Sequence, residues 1–122
     1  MELTPEGRDD PLFAGIDDPL VSLQWHGDTF DLPPGASLLA SSPLVPNQAF
    51  RSGARAYGVQ FHLEVTGEMA REWAEVPAYR ESLTETLGDE GGAAFIADVE
   101  RRADELHPAA RRLFANWLEL AA

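Results

Sequence analysis

Apolar and polar residues change their spacing once along this chain. Up to about residue 65 they alternate in short runs; beyond it they recur every three or four positions. The first part predicts strands and loops. Residues 1–4 are strand-like, and Asp10-Pro11-Leu12-Phe13 has a capping side chain followed by proline, which suits a single helical turn. Asp17-Asp18-Pro19 is a turn, and residues 21–26 alternate as a half-buried strand does. Gly27-Asp28 and Pro33-Pro34-Gly35 interrupt the pattern. Residues 37–40 and 47–51 are a second and third strand, Ser52-Gly53-Ala54 is a hairpin connection, and residues 55–62 are a fourth strand. In that fourth strand Tyr57, Val59 and Phe61 share one face, while Gly58, Gln60 and His62 share the other.

The second part predicts helices. Thr66 is placed to cap one, Glu68 puts an acid in its first turn, and Met69, Trp73 and Val76 follow at helical spacing. Pro77 opens another helix running to about Leu87, and Gly88-Asp89-Glu90-Gly91-Gly92 breaks it. Residues 94–107 carry Phe95, Val99, Ala103 and Leu106 on one face. Pro108 begins a last helix through Leu120, with Leu113, Phe114, Trp117 and Leu118 as its buried side. The expectation is an α/β chain with short, partly antiparallel strands first and helices after.

Composition narrows the function classes. At 122 residues, 44% of them hydrophobic and 25% charged, the chain fits one ordered domain. Its formal net charge of -12 repels phosphate backbones and anionic membrane surfaces, which argues against nucleic-acid and membrane partners. No apolar run approaches the length of a membrane span and no basic, apolar leader opens the chain, so a cytoplasmic location is expected. The chain has no cysteine, which removes disulfides, thiolate metal sites and a cysteine nucleophile of its own.

Candidate chemistry centres on His62-Leu63-Glu64. In an extended backbone, positions i and i+2 point the same way. A carboxylate that accepts from one imidazole nitrogen fixes the ring's tautomer and stabilises the imidazolium formed when the other nitrogen takes a proton. His62 is therefore a candidate general base and acid, and Glu64 its orienting partner. On spacing alone a plain strand-end histidine beside a solvated first-turn carboxylate is the commoner arrangement, because His-x-Glu is short and frequent. A metal site would need more ligands than this pair, and His26 and Asp28 are the neighbouring candidates; no metal or cofactor is expected.

The surrounding segments carry a resemblance. Gln24-Trp25-His26-Gly27-Asp28, Asp31-Leu32-Pro33-Pro34-Gly35, Leu38-Leu39-Ala40-Ser41-Ser42, Asn47-Gln48-Ala49-Phe50 and the run from Tyr57 to Thr66 follow one another. In that order they resemble the C-terminal half of class I glutamine amidotransferases, nearest to the branch of the GMP synthase glutaminase domain. The resemblance implies the C-terminal portion of a flavodoxin-like, three-layer domain, with residues 1–75 carrying the His-x-Glu pair and residues 76–122 a helical extension packed on it. In that family a cysteine attacks the side-chain amide of glutamine, a histidine shuttles the proton and a glutamate two residues on orients the histidine. His62 and Glu64 would hold those roles, and His26 and Gly27 would approach the bound glutamine through backbone groups. Leu63 stands where the family usually has proline. The nucleophile's half of the domain lies outside the sequence, so the chain alone is expected to be inactive. Implied partners are glutamine, an N-terminal half on separate polypeptide, an ammonia-accepting synthetase, or a second copy in a homo-oligomer. A coding start upstream of Met1 is favoured over a split subunit or a non-catalytic remnant that acts as an interaction or dimerisation module.

Overall fold

The computed structural model describes residues 1–122. Strand β1 (Glu2–Leu3) leads straight into a five-residue helix, α1 (Pro5–Asp9). Thr4 makes that helix possible. Its hydroxyl accepts from the Gly7 amide at 3.0 Å and donates to the Leu38 carbonyl at 2.6 Å, so one side chain caps the helix and ties it to the sheet. Gly7 is buried where α1 meets β2 (Ser37–Ser41), and a Cβ there would sit 1.9 Å from the Leu39 carbonyl oxygen. Only glycine permits that approach. The expected turn after Asp10 is a 3₁₀ turn, Pro11–Phe13, capped as the sequence implies: the Asp10 carboxylate accepts from the Leu12 amide at 2.9 Å.

The four strands pair in chain order, each antiparallel to the next: β1 with β2, β2 with β3 (Ala49–Ser52), β3 with β4 (Ala56–Val59). Between the Leu38–Phe50 and Ala40–Ala49 pairs the register shifts, leaving Leu39 as the additional residue of β2. A bulge of this kind lets neighbouring residues both turn inward, and Leu39 and Ala40 are both fully buried. After the sheet come α2 (Gly67–Glu75), capped by Thr66 as expected, and α3 (Pro77–Ala121). The two longer helices follow the sheet, as the change of period implies.

The chain forms two compact units. One comprises Met1–Leu63 together with Pro108–Ala122; the other is Glu64–His107. The first holds the sheet, with Leu3, Leu12, Phe13, Leu20, Leu23, Leu39, Phe61 and Leu63 buried. Its C-terminal stretch is tied in by Asn116, whose amide donates to the Leu12 and Ala14 carbonyls at 2.8 and 2.9 Å. The second contains α2 and most of α3, with Val65, Ala70, Val99, Ala103 and Leu106 buried. Within it Arg71 pairs with Glu100 at 2.9 Å, and the His107 ring nitrogen lies 3.1 Å from the Val65 carbonyl.

Five expectations need correction. Residues 21–26 are not a strand; only Leu23 pairs, in a lone bridge with His62. The side chains of Ser22, Gln24 and His26 bond to one another instead, the local competition that draws polar residues out of a ladder. Strand β4 ends at Val59, not His62, because its partner β3 starts only at Ala49. The glycine-rich break narrows to Gly88 (φ 74°, ψ 172°), and Pro108 lies inside α3 without ending it. On the last stretch of α3, Phe114, Trp117 and Leu118 are exposed rather than buried.

Candidate functional site

Where β4 runs out of partner, the chain finds another. The Gln60 amide donates to the Gln48 carbonyl at 3.1 Å, and two residues later the pairing passes to Leu23. The His62 amide donates to the Leu23 carbonyl at 2.8 Å and the Leu23 amide returns a bond to His62 at 2.9 Å. This single antiparallel bridge sets His62 beside the 23–28 segment. Its ring Nε2 lies 3.3 Å from the Trp25 carbonyl oxygen, at the long end of hydrogen-bonding range. His62 is half-buried between the buried side chains of Phe61 and Leu63.

Exposure alternates onward from there: Leu63 buried, Glu64 exposed, Val65 buried, Thr66 exposed. His62 and Glu64 thus occupy the two less buried positions flanking Leu63. Glu64 is the first residue of the second unit.

His26 turns to its own loop. Its Nδ1 lies 2.7 Å from the Asp28 carbonyl and its Nε2 3.1 Å from the Gln24 side-chain oxygen. His62 therefore meets this loop at the backbone of Trp25, and the two imidazoles have separate partners. Gly27 has open ground around it: a Cβ would meet nothing within 4 Å, and the residue is not in the left-handed region. Neither packing nor backbone conformation explains a glycine there; room for something to approach the main chain would. No group of three or more His, Cys, Asp or Glu side chains gathers in metal-ligand geometry.

Two carboxamides anchor the far end of the same loop. The Gln60 Nε2 donates to the Asn47 carbonyl at 2.7 Å and to the Thr29 hydroxyl at 3.1 Å; the Asn47 Nδ2 donates to the Phe30 carbonyl at 2.9 Å. The Phe30 and Phe50 rings meet edge to face at 5.2 Å. Gln60 could have been noticed from the sequence, since it lies two positions before His62 on the same predicted strand face.

A buried polar cluster under the hairpin is a further feature that spacing did not reveal. The Asp10 side chain is 1% exposed, and its Oδ1 accepts from the Tyr57 hydroxyl at 3.0 Å as well as from the Leu12 amide. Its Oδ2 lies 2.8 Å from Arg51 Nε; both atoms lack a hydrogen-bond partner, so the contact is an ion pair without the alignment of a hydrogen bond. Burial first, and then donation to Asp10, push the Tyr57 phenol up to about 12.

No protein-family profile matches the chain. Curated relatives do. A GMP synthase (glutamine-hydrolysing) of Porphyromonas gingivalis is 34% identical across 72% of this chain and 21% of its own length. The glutamine amidotransferase-like protein YfeJ of Salmonella typhimurium is 35% identical across 84% of this chain and 41% of its own. The crystal structure of a glutamine amidotransferase from Thermotoga maritima superposes with a TM-score of 0.78 and 34% identity, covering 97% of this chain and 48% of that one. The chain therefore spans half the length of these relatives or less. Its mixed α/β architecture, a small antiparallel sheet followed by helices, matches part of that flavodoxin-like fold over nearly all of its residues. The chain belongs to the class I glutamine amidotransferase-like family.

Proposed function

We propose that this chain supplies the proton-handling residues of a glutamine amidotransferase, a reaction that hydrolyses the glutamine side-chain amide to glutamate and ammonia. In this reading His62 accepts the proton of a cysteine thiol and delivers it to the departing ammonia. Glu64 orients the ring and stabilises its charged form. Water then releases glutamate from the thioester. The 26–27 segment offers backbone groups to the substrate over the open ground at Gly27. The observation that carries the reading is the Leu23–His62 bridge, which sets a half-buried imidazole against the loop whose Gly27 leaves its backbone uncovered. The thiol must come from polypeptide beyond this cysteine-free sequence.

The chain by itself is then expected not to turn over glutamine, because a triad without its nucleophile loses on the order of 10⁴ to 10⁶ in rate. The measurement is ammonia release from glutamine by the purified chain beside a His62→Ala control. Turnover above that control would overturn the requirement for an external thiol. A second reading, a non-catalytic interaction module, draws on Phe114, Trp117 and Leu118, which stand exposed on the last stretch of α3.

A further inference from the structure

The amidotransferase reading uses His62 and the 26–27 segment but gives no work to Gln60 and Asn47, two neutral side chains that bond to the loop beyond Gly27. We infer that these two carboxamides are positioning residues: together they fix the 27–30 loop, and so the uncovered Gly27 backbone, against the strand end that carries His62.

The chemistry of the contacts makes their direction unambiguous. The Asn47 and Phe30 carbonyls can only accept, so each must face an NH₂ group and not an amide oxygen. Both hydrogens of the Gln60 amide are engaged, one by the Asn47 carbonyl and one by the Thr29 hydroxyl. The Asn47 amide then reaches past it to the Phe30 carbonyl. The three bonds form one chain, in which Gln60 grips Asn47 and the loop while Asn47 grips the next residue of that loop. The Phe30 ring, set against Phe50 of β3, closes the same end with an apolar contact. At the other end, the Leu23–His62 bridge and the Trp25 carbonyl contact hold the approach. Gly27 lies between these two anchors, and the Gly27, Thr29 and Phe30 amides take no part in a sheet. A loop of this kind is ordered only by its side-chain ties.

The inference rests on the proposed function for what the loop would present, and its test separates the two. Gln60→Glu and Asn47→Asp are the discriminating variants. Each keeps shape and replaces a donor NH₂ with a carboxylate oxygen aimed at a carbonyl. Backbone ¹⁵N relaxation is measured on the wild type and both variants. Order parameters at 27–30 are expected to drop from about 0.85 to below about 0.6 in each variant, with those of the 49–59 hairpin unchanged. A merely structural role would lower the melting temperature and leave the loop as ordered as before; that result overturns the inference. On the unmodified protein, the side-chain NH₂ protons of Gln60 and Asn47 are expected to exchange slowly. Exchange at the rate of free amides would overturn the inference even if neither variant folds.

Glutamine titration followed at the Gly27 amide tests the underlying reading. No response in the wild type removes glutamine as the occupant, and the clamp is still judged on loop order. A response in the wild type should need about tenfold more glutamine in the variants, since binding must then order the loop. An identical response from a loosened loop would show that the clamp positions nothing.

Discussion

Tyr57 reports its surroundings through its acidity. Burial and donation to Asp10 favour the neutral phenol, so its folded value of about 12 stands above the unfolded value of 10.0. For a group raised in this way, the stabilisation is complete below about pH 10 and is lost as pH climbs toward 12. Urea unfolding of the wild type should therefore show stability falling between pH 10 and 12. Tyr57→Phe should cost about 1 kcal/mol at pH 8, because the buried Asp10 carboxylate loses a donor, and should flatten that fall. Equal slopes for the two proteins would remove Tyr57 as the titrating group. At this scale the sequence was legible where partners are neighbours. The caps at Asp10 and Thr66 follow from two or three residues of context. The Tyr57–Asp10 bond joins residues 47 positions apart, and no local pattern announces it.

At the scale of elements, α1 depends on the absence of one methyl group. Gly7→Ala would drive a Cβ into the Leu39 carbonyl, which is backbone and cannot rotate away. Separating α1 from β2 is expected to cost about 3 kcal/mol, toward the upper end for overpacking. Thermal unfolding checks this, and a variant as stable as the wild type would mean that α1 does not pack there. Five residues are too few for a periodic signal, which is why this helix escaped the hydrophobic pattern although its cap, Thr4, stood in plain view. The misjudged strand at 21–26 has the opposite cause. Its alternation is real at Leu23, which is buried, but Val21 is 48% exposed, and a strand needs a partner along its length. Pairing is a property of two segments, and alternation describes only one. For the site, the resemblance singled out His62 and the 26–27 segment, while the His62–Leu23 bridge and the Gln60–Asn47 clamp required knowing which strand ends where.

For the whole molecule, charge and exposed apolar surface act against each other. A net charge of -12 opposes self-association, while Phe114 at 58%, Trp117 at 39% and Leu118 at 48% exposure favour it. If the interaction-module reading holds through a second copy, native mass spectrometry should give a species at twice 13.3 kDa. That species should gain population with salt and vanish in Trp117→Glu. A lone 13.3 kDa species at every ionic strength would remove that version of the reading. No helix is long and apolar enough to cross a membrane.

Asn116 gives the molecule's assembly a direction in time. Its amide closes a loop of about one hundred residues onto the Leu12 and Ala14 carbonyls. During synthesis those acceptors leave the ribosome first and must stay hydrated until residue 116 has been added. The sheet-bearing unit, which draws on residues 1–63 and 108–122, can be completed only after residue 116 has been made.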